Sequence, residues 1–174
     1  VQGVAGAIER EKPDMLLVHG DTTTAFAAAV AGFYGRIPIG HVEAGLRSFD
    51  LDRPWPEEFN RVAVDAIAQL MFAPTESAAA NLAREYNQRG QVLVTGNTGI
   101  DSLLYIAGRI EAEPALHERL AARYPYLDSA RRLILVTGHR RESFGDGFQR
   151  ICDGLAQIAR RGDVQVVYPV HLNP

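Results

Sequence analysis

Residues 15–42 read MLLVHGDTTTAFAAAVAGFYGRIPIGHV, and this stretch sets the expected fold class. The apolar run at 15–18 predicts a short buried strand, the alanine-rich segment at 22–34 predicts a helix ended by Gly35, and residues 37–42 predict a second strand. Short, mostly apolar strands joined by helices are typical of a parallel sheet covered by helices on both faces. We therefore expect an α/β protein built on parallel strands.

The same alternation continues along the rest of the sequence. It predicts strands at 71–73, 92–94, 133–136 and 164–168, and helices at 57–70, 77–86, 100–110, 116–124 and 148–158. Two successive helices without a strand between them break the alternation and indicate an interdomain connection. We predict residues 1–95 as the C-terminal part of one doubly wound domain, residues 96–126 as a helical connector, and residues 127–174 as the start of a second domain.

The composition favours a globular protein without a nucleic-acid or membrane partner. Hydrophobic residues make up 47% of the 174 residues, which suits a packed core. The net charge of -3 lacks the basic excess expected for nucleic acid or anionic lipid, and no apolar run approaches the ~20 residues needed to cross a bilayer. Cys152 is the one cysteine, so the chain forms no internal disulfide, which fits a cytoplasmic location.

Polar residues of interest lie where the predicted strands end, which is where open α/β sheets bind ligands. Asp21, Glu43 and His139 follow strands directly, and Glu57 follows a proline-rich loop at the start of a helix. Three carboxylates and one histidine near the rim of a parallel sheet suit proton transfer beside a phosphorylated ligand. They would equally suit a divalent metal, although their spacing matches no compact metal motif.

Each carboxylate also has an ordinary structural interpretation. Asp21 could simply cap the helix that follows it, because aspartate is a favoured N-cap residue. Glu43 could form a partly exposed ion pair with Arg47. Glu57 could interact with its helix dipole and with Arg61, four residues further along the helix.

The histidines and the cysteine differ in what their positions predict. His41 lies within a predicted strand, so we expect it to be structural. His139 stands between Gly138 and two arginines at a strand end, where a buried structural role is not expected. Cys152 falls at helical spacing with apolar neighbours, so we expect a core residue and not a nucleophile.

Six blocks of this sequence, in order and with matching spacing, resemble the bacterial non-hydrolysing UDP-N-acetylglucosamine 2-epimerases. The resemblance runs over nearly the whole length. The blocks are GDTTT at 20–24, HVEAGLR at 41–47, PWPEEFNR at 54–61, TGNT at 95–98, TGHRRES at 137–143 and YPVHLNP at 168–174.

The resemblance implies a GT-B-type architecture of two Rossmann-like domains with the active site in the cleft between them. The family's chain is longer, so we expect this sequence to be a fragment that covers the middle of it. It would then lack a basic group near the start of the first domain. It would also lack the later part of the second domain, which grips uridine and diphosphate.

The family interconverts UDP-GlcNAc and UDP-ManNAc by inverting C2 of the sugar. A base removes the C2 proton while UDP leaves C1, and UDP then adds again as a proton returns on the other face. The resemblance implies that Asp21, Glu43 and Glu57 are the acid/base carboxylates, with Asp21 and Glu43 also contacting substrate. His139 would contact the diphosphate and assist the leaving group, and Gly138 would supply a backbone donor to phosphate.

The resemblance also implies what the protein binds besides its substrate. Arg140 and His171 match positions lining an adjoining cleft, where bacterial members bind a second UDP-GlcNAc as an activator. The family needs no nicotinamide or metal cofactor, and its members are usually homodimers. We therefore expect an isomerase that feeds polysaccharide biosynthesis.

Three alternatives remain open at this level. A GT-B glycosyltransferase would share the fold and the phosphate chemistry, although it typically needs one base and not three carboxylates. A hydrolysing UDP-GlcNAc 2-epimerase would release free ManNAc. Finally, these 174 residues alone would be an incomplete and inactive piece of an enzyme.

Overall fold

The fold was analysed in a computed structural model that describes residues 1–85, 90–138 and 145–170. The chain divides into two compact units, Val1–Leu103 and Leu104–Pro174. Within the described residues, no helix is both long enough and apolar enough to cross a membrane.

The first unit is a four-stranded parallel sheet with helices between its strands. The strands pair in the order β1-β2-β3-β4, and every neighbouring pair is parallel. The elements are α1 (Gln2–Glu11), β1 (Leu16–His19), α2 (Thr23–Tyr34), β2 (Ile39–Val42), α3 (Glu57–Ile67), β3 (Leu70–Ala73), α4 (Glu76–Ala83), β4 (Gln91–Val94) and the first part of α5 (Thr98–Ala112).

Small side chains on α2 let this helix pack closely against the sheet. Ala25, Ala29 and Ala31 are buried, and a Cβ added at Gly32 would lie 3.0 Å from a methyl carbon of Leu16. Ala25 and Ala29 join a buried hydrophobic cluster, which is formed by Val18, Ala25, Ala29, Ile39, Ala44, Val64, Ala68, Met71, Ala73, Ala78 and Leu82. The alanine-rich segment therefore contributes close contact between layers and not only helix propensity.

The second unit contains a two-stranded parallel sheet, β5 (Arg132–Leu135) paired with β6 (Val164–Val167). The remaining helices are α6 (Pro114–Ala121) and α7 (Asp146–Ala159), and α7 connects the two strands. Gln165 on β6 fixes the loop before β5: its Oε1 accepts from the N–H of Asp128 at 2.9 Å, and its Nε2 donates to the Asp128 carbonyl at 2.6 Å.

The predicted α/β class with Rossmann-like parallel sheets is confirmed, as are six strands within the described residues. Several predicted boundaries were wrong by one to three residues; α4, for example, ends at Ala83 and not at residue 86. The helix predicted at 57–70 ends at Ile67, because the chain becomes extended at Ala68 and the N–H of Gln69 donates to the Ile39 carbonyl at 2.8 Å. The division between the units falls in α5, and the predicted domain limits at 95 and 126 stay predictions.

Candidate active site

Asp21 and Glu43 follow the carboxyl ends of β1 and β2, which are neighbouring strands. His19 pairs with Val42 at the end of the ladder, and the N–H of Gly20 donates to the Val42 carbonyl at 3.0 Å. Gly20 has a φ of +70°, and a Cβ added there would lie 3.5 Å from Oε2 of Glu43. The carboxylate of Glu43 therefore lies over Gly20, the residue that precedes Asp21.

Glu43 has a left-handed backbone and two polar neighbours. Its φ is +72°, a region that residues other than glycine adopt rarely and that tends to mark functional sites. Asn97 Nδ2 donates to Glu43 Oε1 at 3.4 Å, and His19 Nε2 lies 3.8 Å from Glu43 Oε2. The alternative of a Glu43–Arg47 ion pair was wrong, because Arg47 pairs with Asp65 and Glu85.

Asp21 is held by α3 and does not cap α2. Thr22 performs the capping, since its side chain accepts from the N–H of Ala25 at 3.2 Å. The Asp21 carboxylate lies 3.2 Å from Nη1 of Arg61, and the Asp21 carbonyl accepts from Nδ2 of Asn60 at 2.8 Å. The capping interpretation of Asp21 was therefore wrong, and its carboxylate pairs with Arg61 instead.

Glu57 is the first residue of α3 and is half-buried. Its predicted pairing with Arg61 was wrong: Arg61 pairs with Asp21 and, through Nε at 2.8 Å, with Glu58. Glu58 is buried, and its carboxylate accepts from the backbone N–H of Ser48 at 3.0 Å and of Phe49 at 2.9 Å. The chain thus anchors the loop before α3 through Glu58 and leaves Glu57 without a partner among these contacts.

The buried face of α3 is polar, which the sequence analysis missed. Glu58, Asn60, Arg61 and Asp65 are buried on this helix. Glu58, Arg61 and Asp65 recur at i, i+3 and i+7, so they share one face. A charged stripe of this kind normally indicates a solvated face, and only its position beside the strand ends could have indicated the opposite.

His41 is fully buried, which confirms its structural interpretation. Its Nδ1 lies 2.5 Å from Oδ1 of Asp65, and its Nε2 lies 2.9 Å from the Gly20 carbonyl. Arg47 completes the cluster, with Nη2 2.7 Å from Oδ2 of Asp65 and Nε donating to Oε1 of Glu85 at 2.5 Å.

The charge on Arg47 is maintained by its partners. Burial is the largest single effect on the pKa of this guanidinium and lowers it, but the contacts with Glu85 and Asp65 together outweigh burial. The net result is a pKa above the usual arginine value, so Arg47 stays positive at every working pH. The buried cluster therefore carries a fixed positive charge against Asp65.

The remaining predicted site residues belong to the second unit. Gly138 follows β5, and its carbonyl accepts a hydrogen bond from the hydroxyl of Tyr168. His139, Arg140 and His171 lie outside the described residues. Cys152 is half-buried on α7. In the part of the chain that the structure describes, no three His, Cys, Asp or Glu side chains are grouped to hold a metal ion.

A cavity of about 540 Å³ lies at the opposite, amino-terminal ends of the strands, beside the residues that lead into β2 and β3. It contains none of the predicted site residues. Its lining is Phe33, Tyr34, Arg36, Ile37, Pro38 and Gln69.

Comparison with known proteins assigns the chain to a family. The family model described as UDP-N-acetylglucosamine 2-epimerase matches residues 1–174. The chain belongs to the UDP-N-acetylglucosamine 2-epimerase family. The family predicted from the six sequence blocks is thereby confirmed. A curated UDP-N-acetylglucosamine 2-epimerase from Yersinia pestis is 56% identical over 175 residues, covering 100% of this chain and 46% of the relative.

Solved structures of UDP-GlcNAc 2-epimerases agree with this assignment and confirm the predicted GT-B-type fold class. The enzyme from Neisseria meningitidis, solved bound to UDP-GlcNAc, aligns with a TM-score of 0.93 at 41% identity over 99% of this chain and 47% of its own. The Methanocaldococcus jannaschii enzyme, solved with UDP-GlcNAc and UDP, aligns with a TM-score of 0.81 at 34% identity over 98% and 46%. The chain spans about half the length of the relatives it matches.

Proposed function

We propose that the protein carrying this sequence is a UDP-N-acetylglucosamine 2-epimerase, an isomerase that interconverts UDP-GlcNAc and UDP-ManNAc. Family membership over residues 1–174 supports the substrate class. The observation that carries the chemistry is the position of Glu43, whose carboxylate lies over Gly20 at the strand end that presents Asp21. Two carboxylates at adjacent strand ends suit proton exchange at one carbon.

The reaction is an elimination followed by an addition. One carboxylate takes the C2 proton, the C2–H electrons form a C1=C2 double bond, and the C1–O bond breaks so that UDP leaves with its electron pair. The glucal then receives a proton at C2 on its other face while a UDP oxygen re-forms the bond to C1. The hydrogen leaves and returns as a proton, so the scheme consumes no oxidant or reductant.

The roles of individual residues are part of this proposal. Asp21, Glu43 and Glu57 exchange the proton, and Arg61 and Asn60 hold Asp21 in place for it. A departing diphosphate also needs positive charge and N–H donors at the site of its developing charge. His139 and the Gly138 backbone are proposed to supply them.

The proposal also includes an activating ligand, the oligomeric state and the cellular location. Arg140 and His171 are proposed to contact a second UDP-GlcNAc that activates the enzyme. The protein is further proposed to be a cytoplasmic homodimer whose product is used in polysaccharide biosynthesis. It is supported by the family assignment alone.

The test is proton NMR of UDP-GlcNAc in deuterated water, with the natural protein that carries these residues. We expect UDP-ManNAc with deuterium at C2, and we expect Asp21→Asn and His139→Ala to lose most of this signal. Free ManNAc with UDP would instead support the hydrolysing enzyme. An unexchanged C2, with sugar transferred only after an acceptor is added, would support the glycosyltransferase.

We also predict that residues 1–174 alone do not turn over UDP-GlcNAc. The chain spans about half the length of its relatives, so whatever the other half of their chains contributes to the site has no counterpart in it. The measurement is the same exchange experiment, with a full-length member of the family as the positive control. Turnover by the isolated residues would contradict this prediction.

A further inference from the structure

Asp65 connects α3 with the two loops that carry Asp21 and Glu43. Its side chain is 1% exposed, yet both carboxylate oxygens have N–H partners. Oδ1 lies 2.5 Å from His41 Nδ1, and Oδ2 accepts from the backbone N–H of Gly45 at 3.1 Å. We propose that Asp65 is a positioning residue of the candidate active site, an inference that rests on the epimerase function proposed above.

His41 extends the reach of Asp65 to the first loop. Its second ring nitrogen lies 2.9 Å from the carbonyl of Gly20, the residue before Asp21. Carboxylate and carbonyl oxygens only accept hydrogen bonds, so each ring nitrogen of His41 faces an acceptor. The other carboxylate oxygen of Asp65 lies 2.7 Å from Nη2 of Arg47. One carboxylate thus fixes the Gly20 turn through a single ring.

The two loops need such fixation because their backbones are in the left-handed region. Gly20 has a φ of +70°, Glu43 of +72° and Gly45 of +83°. Backbone conformations of this kind persist at non-glycine residues only when the surrounding contacts determine them. Asp65 holds the second loop at Gly45, two residues after Glu43, and the first loop at Gly20 through His41.

A purely stabilising role explains Asp65 less well. Buried ion pairs can often be replaced by apolar residues of similar volume without loss of stability, because desolvation offsets the attraction. What an apolar residue cannot do is hold two separate N–H groups at fixed directions. The same helix begins with Glu57, and its Asn60 holds the Asp21 carbonyl. Helix α3 therefore sets the position of all three carboxylates.

The test compares Asp65→Asn with the matched control Asp163→Asn in the natural protein. Both variants replace an arginine-paired aspartate by its amide, but Asp163 pairs with Arg161 on the surface of the second unit. For Asp65→Asn we expect kcat for C2 exchange to fall by ~10–100-fold, as misplacement of reacting groups does. We expect KM to change by less than about threefold, because the contacts that bind substrate and transition state equally well are retained. Asp163→Asn should match the wild type.

A spectroscopic measurement reads the geometry directly. In the wild type, ring proton–nitrogen correlations of His41 should show the Nδ1–H group that bonds the Asp65 carboxylate. In Asp65→Asn, the Nδ1–H signal should shift or vanish, and the amide signals of Gly20 and Gly45 should move. A folded variant with wild-type kcat and unmoved Gly20 and Gly45 amides would overturn the proposal. So would a kcat that equals the wild-type value once corrected for the folded fraction.

A second variant covers the case in which Asp65→Asn does not fold. His41→Gln keeps an N–H that can reach Gly20 but removes the link to Asp65, so kcat should still fall with KM retained. Wild-type kcat in this variant would overturn the positioning role. If the wild type itself shows no C2 exchange, the epimerase proposal fails. The amide signals of Gly20 and Gly45 in Asp65→Asn still test whether Asp65 positions the two loops.

Discussion

Arg61 stands between two carboxylates of different burial. Its Nη1 lies 3.2 Å from Asp21, and its Nε lies 2.8 Å from Glu58, which is 1% exposed. Arg61→Met would leave the Glu58 charge buried with only backbone donors. Breaking a buried pair from one side costs about 3–5 kcal/mol, so we expect a loss of this size in the free energy of unfolding, measured by urea denaturation.

Arg161→Met is the matched control for this prediction. Arg161 forms the same kind of pair with Asp163 through Nη2 at 2.6 Å, but both side chains are exposed and water replaces the contact. We expect its urea midpoint to stay near the wild type. Equal losses in the two variants would show that burial of Glu58 does not determine the effect.

Gly45 is a position where the structure leaves no space for a Cβ atom. Its φ is +83°, and an added Cβ would lie 2.3 Å from the carbonyl oxygen of Ala78. Gly45→Ala should lower the free energy of unfolding by more than about 1 kcal/mol, because both the backbone angle and the space are incompatible with a side chain. Thermal unfolding followed by circular dichroism measures this.

Gly6→Ala provides the contrast on the same scale. Gly6 lies in the helix α1 with nothing within 4 Å of an added Cβ. Alanine there should stabilise the protein by about 0.4–1 kcal/mol, since it narrows the unfolded ensemble without clash. A Gly45→Ala variant as stable as Gly6→Ala would refute the close packing at Gly45.

At the scale of elements, Thr75 begins α4. It is the N-cap, and its hydroxyl accepts from the N–H of Ala78 at 3.1 Å. Thr75→Ala should reduce the free energy of unfolding by about 1 kcal/mol, since one of the first N–H groups loses its partner. Ser102→Ala within α5 is the control, because Ser102 bonds only the carbonyl four residues back and alanine favours helix. A loss no greater than the control's would argue against capping.

The elements and the site differ in how far the sequence could predict them. Apolar runs and helical spacing predicted the strands and helices, because periodicity is a local property. The parallel-sheet rule then placed Asp21 and Glu43 at neighbouring ends. The contact between His41 and Asp65, which lie 24 residues apart, depends on how the helices pack on the sheet. A single sequence, taken by itself, does not show such a pairing.

At the scale of the whole molecule, the described chain exposes much apolar surface. On α5 alone, the side chains with large exposed fractions are Ile100 at 57%, Leu103 at 67%, Leu104 at 65%, Tyr105 at 65% and Ile106 at 48%. Large exposed apolar patches mark surfaces that bind other protein. We therefore expect residues 1–174, produced alone, to self-associate and to bind a hydrophobic dye.

Sedimentation velocity and dye fluorescence measure this, and Leu103→Glu with Leu104→Glu should reduce both signals. The natural protein, whose relatives are about twice as long, should show weaker dye binding per chain. A monomeric, dye-silent 174-residue chain would contradict the expectation.

The polar face of α3 has a consequence for how this segment can change over evolution. Arg61 and Asp65 reach different partners from the helix that Glu57 begins, and each added residue rotates the rest of the helix by about 100°. An insertion or deletion between 57 and 65 would swing Asp65 away from His41 and Gly45 while leaving Glu57 in place. We therefore expect this segment to tolerate substitutions along its exposed face but no change in its length, and a redesign that regrafts the site must carry these nine residues over as one unbroken block.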